Sequence, residues 1–315
     1  MQFSTTIPIP NHPFPISYSS KIISLGSCFA ENIGEKLEYF KFQNTVNPFG
    51  IIFNPVSIEK IIRKALAKER FTPTDVFFHN EAWHSFDVHS QCSHPDKEQL
   101  LSNLNTILES AHTQITEATH ILITLGTAWV YRNNGAIVAN CHKVPQKQFT
   151  KELLSTETIQ YNLNNTIALL TEANPKAHIL FTVSPVRHIK DGFVQNQQSK
   201  SHLIAALHAV LNSESERLAY FPSYEIMMDE LRDYRFYAED MLHPNQLAID
   251  YIWERFIETV ISSEAFSTME AVDAIQKALA HRPFNPNSES HQKFLQNLNQ
   301  KINTLALQFP NMKFE

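Results

Sequence analysis

Residues 21–40 read Lys21-Ile22-Ile23-Ser24-Leu25-Gly26-Ser27-Cys28-Phe29-Ala30-Glu31-Asn32-Ile33-Gly34-Glu35-Lys36-Leu37-Glu38-Tyr39-Phe40. The apolar run from Ile22 to Leu25 stops at Gly26. Apolar residues then return at Phe29, Ile33, Leu37 and Phe40, the spacing of one helix face. The stretch therefore predicts a strand, a tight glycine turn and a helix. A side chain at such a turn meets unpaired backbone N–H groups and the positive end of the helix dipole. An anion formed during acyl transfer is stabilised there. Ser27 is the candidate nucleophile of this turn. Capping the helix is the other use of a serine at that position. Cys28 is a rival, because a thiol at a helix start is acidified.

Working outward, the same signature recurs. Thr119-His120-Ile121-Leu122-Ile123-Thr124-Leu125 runs into Gly126, and His178-Ile179-Leu180-Phe181-Thr182-Val183 runs into Ser184-Pro185. Near-continuous apolar runs of this length are strands buried on both faces. Shorter strands are expected at 42–46, ending in Asn47-Pro48-Phe49-Gly50, and at 218–221. Helical spacing covers 56–68, 97–117, 155–173, 199–214 and 246–261. Strands alternating with helices predict a three-layer α/β/α fold around a mostly parallel five-stranded sheet. Hairpin insertions are expected around Asn133-Asn134-Gly135 and within 71–95. The predicted organisation is one domain over 1–263 and a C-terminal helical extension over 264–315, packed back on it, with helices at 268–281 and 290–308.

The totals narrow the function classes. The chain has 315 residues, 43% of them apolar, so a sizeable core is available. A net charge of −6 argues against a general nucleic-acid binder. No apolar run reaches the ~18 residues of a membrane span. Residues 1–20 carry Pro8, Pro10, Pro13 and Pro15 and lack the charged start and apolar core of a signal peptide. Three scattered cysteines, Cys28, Cys92 and Cys141, suit a reducing, cytoplasmic setting better than a disulfide scaffold. Six glycines are far below the usual ~7%, so Gly26, Gly50 and Gly126, at or near the ends of apolar runs, mark positions where the backbone needs glycine.

Ligands of open parallel sheets bind beyond the carboxyl ends of the strands. Three strand ends meet there by this reading: Gly26-Ser27, Gly126-Thr127 and Ser184-Pro185. A fourth segment, Asp240-Met241-Leu242-His243-Pro244, precedes the last helix of the sheet. A turn there lets the Asp240 carboxylate hold His243 Nδ1 and leaves Nε2 as a base. A serine at neutral pH needs such a base.

Gly26-Ser27-Cys28-Phe29-Ala30 spells the signature of the GSCFA family, which resembles a branch of the SGNH, or GDSL-like, hydrolase superfamily. The resemblance continues through Asn47-Pro48-Phe49-Gly50-Ile51, Leu125-Gly126-Thr127-Ala128-Trp129, Asn140-Cys141-His142-Lys143, Ser184-Pro185-Val186-Arg187-His188 and the Asp240–Pro244 segment. It covers roughly 20–260 and implies an SGNH- or flavodoxin-like sheet. It further implies Ser27 as nucleophile, His243 as general base, Asp240 as its partner, and no cofactor or metal. The superfamily's oxyanion hole implies donors at Ser27, at Gly50 and after the third strand. There this chain has Thr127-Ala128 where the superfamily often has an asparagine, so Thr127 is the candidate, with Asn47 and Asn140 as substitutes.

Substrate-binding candidates are Asn47, His89, Trp129, Asn140, His142, Arg187 and His188, each also readable as packing or a solvated loop. His79, His84, His89 and His94 recur every five residues, with Cys92 nearby. That spacing matches neither a helix face nor a strand face and gives no metal set. The expected activity is ester hydrolysis through an acyl-enzyme on Ser27, with a small-molecule or glycan O-acyl ester as substrate. The alternatives are a catalytically weak or inactive binding protein that keeps the fold, and a thiol enzyme using Cys28.

Overall fold

Each central strand carries two apolar faces, and that dictates a layer of helices on both sides. A computed structural model describes residues 5–211 and 216–314. Five strands form the main sheet: β1 (Lys21–Gly26), β2 (Gln43–Val46), β3 (His120–Leu125), β4 (His178–Val183) and β5 (Leu218–Tyr220). All neighbours pair in parallel, in the order β2-β1-β3-β4-β5. On one face Ile23, Leu25, Ile121, Ile123, Leu125, Ile179, Phe181 and Val183 enter one core. On the other, Ile22, Leu122 and Leu180 enter a second. Burying each such side chain contributes about 1.5–3 kcal/mol, so neighbouring residues of one strand stabilise opposite layers.

The first core is closed by α2 (Pro55–Leu66), α3 (Lys97–Glu117), α4 (Thr156–Ala173) and α5 (Phe193–Leu211). The second is closed by α1 (Cys28–Tyr39), α6 (Gln246–Val260) and α7 (Phe266–Ala280), with Leu298 and Leu305 of α8 (Glu289–Gln308). The amino-terminal arm joins this side, where Ile16 bridges Ile261. Among the described residues no helix is long and apolar enough to cross a membrane.

The five-stranded parallel sheet and its flanking helices agree with the sequence expectation; three details differ. Helix α5 begins at Phe193, six residues before the expected 199, and the expected end at 214 lies outside the described residues. The hairpin of Trp129–Asn133 and Ala136–Val138 gains a third strand, Thr150–Leu153. Its burial pattern is mostly exposed, so no apolar alternation marks it. In the 71–95 region the strand pair is short, Phe77–His79 with Ala82–His84, and 85–89 continue without ladder pairing.

Candidate active site

The strand order reverses between β1 and β3, which are neighbours although β2 follows β1 in the chain. A crevice opens at the carboxyl side of such a switch point. Here it is a cavity of about 510 Å³, walled by Phe53, Trp129, Tyr131, Val138 and Val186 and carrying Ser27, Cys28, Asn140, Arg187 and His243.

The turn after β1 is held by its glycine. Gly26 has φ +140°, and a Cβ there would meet the Thr124 carbonyl oxygen at 2.2 Å. Ser27 is the N-cap of α1, with Oγ accepting from the Phe29 N–H at 3.2 Å. Its own N–H donates to the Thr124 carbonyl at 3.1 Å, and its carbonyl accepts from Ala30 N–H. Ser27 is 1% exposed. Cys28, the next residue, is the first of the helix and is only half-buried. Burial and the Glu31 carboxylate push its thiol up. Lys200 and the N–H groups of Cys28 and Phe29 act in the opposite direction.

The Asp240–His243 turn is a closed unit. Asp240 Oδ1 accepts from the Leu242 and His243 N–H groups at 2.9 and 3.0 Å. His243 Nδ1–H donates to Asp240 Oδ2 at 2.6 Å. These bonds to the ionised form hold the Asp240 carboxyl down at about 2. Because a carboxylate only accepts, Nδ1 carries the proton and Nε2 is the basic nitrogen. No partner among the described residues lies within hydrogen-bond reach of Nε2, so the contact from base to nucleophile is open. Met241 takes φ +58° to make the turn, a conformation that costs a residue of this type about 1 kcal/mol or more. The turn is braced from the loop after β4, since Arg187 donates its backbone N–H to Leu242 O and its guanidinium to Met241 O.

Each of the three expected oxyanion residues has an internal hydrogen-bond partner. Ser27 N–H is taken by Thr124, and Gly50 N–H closes a turn onto Asn47 O at 2.7 Å. Thr127 Oγ1 pairs with Ser199 Oγ at 2.8 Å and accepts from Trp129 N–H. The Cys28 N–H, at the first helical position, donates to no carbonyl among the described residues.

Among the substrate-binding candidates, His89, Trp129, Asn140, Arg187 and His188 line the cavity with Thr127. Two do not. Asn47 is a brace, accepting from Gly26 N–H at 2.8 Å. His142 is 4% exposed, bonds Ser85 O through Nε2 and packs against His84 and Phe77. His84 is spent on Ser93 Oγ and His79 O. Among the described residues no group of three or more His, Cys, Asp or Glu could hold a metal ion.

Sequence reasoning missed Lys200. It is 1% exposed, and its Nζ donates to Gly126 O and Ser184 O, both at 2.7 Å, joining the ends of β3 and β4 beneath the cavity. A signal was present: Leu203 and Leu207 follow it at three and seven residues, so a lysine sits on the apolar face of its helix.

The model of the GSCFA family matches residues 21–256, and that of the C-terminal domain of GSCFA domain proteins matches 272–315. No curated protein matches the chain. Among solved structures, the acetyl xylan esterase Est2A from the rumen bacterium Butyrivibrio proteoclasticus is similar at 10% identity and a TM-score of 0.39. That match covers 87% of this chain and 66% of Est2A, so this chain spans just under two thirds of that protein. A family 3 carbohydrate esterase of Clostridium thermocellum is similar at 12% identity and a TM-score of 0.33, covering 83% of this chain and 99% of the esterase.

Proposed function

We propose that this chain, which belongs to the GSCFA family, hydrolyses acyl esters in the cavity at the carboxyl end of its sheet. His243 is the general base, Asp240 orients it, and the β1–α1 turn supplies the nucleophile. The observation that carries this reading is the 2.6 Å bond from His243 Nδ1 to Asp240 Oδ2, with Nε2 left unpartnered and His243 on the wall that also holds Ser27 and Cys28. Such a pair fixes the tautomer and supports the imidazolium formed on proton uptake.

The lining favours an O-acyl group on a hydroxyl-rich, carbohydrate-like alcohol. Phe53, Trp129 and Tyr131 offer ring faces, while Asn140, Arg187, Lys190 and Asp191 offer hydrogen-bonding groups. A cavity of about 510 Å³ is within the usual range for a small ligand.

The test is turnover of short-chain p-nitrophenyl esters by wild type and His243→Ala. Loss of the base lowers kcat/KM by ~10²–10⁴-fold. Equal rates for the two proteins would refute the assignment.

A further inference from the structure

Within the hydrolase reading just given, on which this inference rests, we infer that Cys28 Sγ is the nucleophile and that Ser27 is the cap that presents it. The two neighbours divide the work of the turn. Every polar group of Ser27 is used internally. Oγ accepts from Phe29 N–H, the backbone N–H goes to Thr124 O and the carbonyl goes to Ala30 N–H. At 1% exposure, Ser27 is the more deeply buried of the two, although both residues line the cavity. Cys28 has the complementary set of properties. It is half-buried, it lines the cavity with His243, and its N–H has no carbonyl acceptor among the described residues. An oxyanion formed at an acyl carbon attached to Sγ therefore finds the nucleophile's own N–H free of any carbonyl acceptor among the described residues, at a helix amino end. The same N–H attached to Ser27 is already bonded to Thr124.

The surroundings define how the thiol is used. Burial and Glu31 keep it protonated at rest, while Lys200 lies close enough beneath to favour a thiolate. The proton therefore leaves at the moment of attack. Sγ forms a bond to the acyl carbon as its proton moves to His243 Nε2, and the carbonyl π pair becomes the oxyanion facing the Cys28 N–H. Collapse breaks the bond to the alcohol oxygen, which takes the proton from the His243 imidazolium. Water then attacks the thioester and yields a proton to His243. The C–S bond breaks, the acid departs, and the thiolate recovers that proton. The sum is ester plus water giving acid plus alcohol.

The test uses the full chain with p-nitrophenyl acetate. Ser27→Asp keeps a good cap and removes the hydroxyl; Ser27→Ala removes both. Cys28→Ala removes the thiol, and Cys28→Ser replaces it with an oxygen at the same place. The expected result is that Ser27→Asp loses no more than ~10-fold, whereas Cys28→Ala loses at least ~10³-fold. Acid quenching of wild type should trap one acetyl group on Cys28, released by hydroxylamine at neutral pH as a thioester is. Inactivity of both Ser27 variants, with an acetyl on Ser27 that resists neutral hydroxylamine, overturns the Cys28 assignment and leaves the hydrolase reading standing. Absence of turnover and of acetylation in wild type overturns both.

Discussion

The two ends of the central sheet use histidine in opposite ways. At the amino end, His120 and His178 stand side by side as the first residues of β3 and β4. His12 packs over them from the proline-rich arm, and Phe14 stacks on His178 at 3.8 Å. His120 bonds Phe14 O through Nε2 and Thr119 Oγ1 through Nδ1, and His12 Nδ1 accepts from the Phe14 N–H. Burial pushes His12, His120 and His178 below their ordinary range, helped at His178 by the Arg217 charge. At the carboxyl end, His243 has a side chain 47% exposed and a carboxylate at 2.6 Å. The side chain is the same; the partner and the solvent differ. A histidine closed in by carbonyls and rings stays neutral and holds the fold, whereas one bonded to a carboxylate has its tautomer fixed and keeps Nε2 without a partner among the described residues.

The largest expected effect breaks the carboxyl-end arrangement. Asp240→Asn keeps the shape of the turn and removes the charge that supports the imidazolium. It also lets the amide donate to Nδ1, which favours the wrong tautomer. Catalysed ester hydrolysis should fall by ~10³-fold or more, mainly in kcat, measured on the same p-nitrophenyl esters. A change smaller than about fivefold would remove the distinction between the two ends.

The amino end makes a pH prediction of its own. His120 is pushed down to about 4 by burial, and so, away from this end and packed on His84, is His142, against an unperturbed value of about 6.5. Between those values the unfolded chain binds more protons than the folded one, so stability rises with pH across that window. It is fully present above about 6.5, is lost as pH falls from there toward 4, and levels off below. Each of these two histidines, 5% and 4% exposed, contributes on the order of 3 kcal/mol over the window. Urea midpoints at a series of pH values check this. His120→Gln should flatten the slope by roughly its share, and an unchanged slope would show that the amino end is not closed to protons.

How much of this was legible in the sequence depends on where each interaction lives. The strands were readable because runs such as Ile121–Leu125 must be buried on both sides, and no other element satisfies that. The Asp240–His243 pair was readable because its bond spans three residues. The start of α5 was not, because Phe193 and Val194 are 62% and 74% exposed and their apolar character points to no core. The partners of the expected oxyanion donors were not legible, because the fate of an N–H depends on which carbonyl the fold brings to it. Thr124, on a strand about a hundred residues further along the chain, takes the Ser27 N–H. Spacing within one segment carries no trace of that bond.

The smallest effect concerns the serine of the turn itself. If Oγ is a cap, Ser27→Ala removes the acceptor for Phe29 N–H and should cost about 1 kcal/mol of stability. Ser27→Asp should cost close to nothing, because a carboxylate caps as well and suits the helix dipole. Paired urea denaturation curves at pH 7.5, above the histidine window, separate the two. Alanine falling below aspartate ties the hydroxyl to the helix end and leaves the cavity side of the turn to Cys28. Equal midpoints for wild type, alanine and aspartate would mean that the bond to Phe29 contributes nothing, and the Ser27 hydroxyl would then be free to turn toward His243.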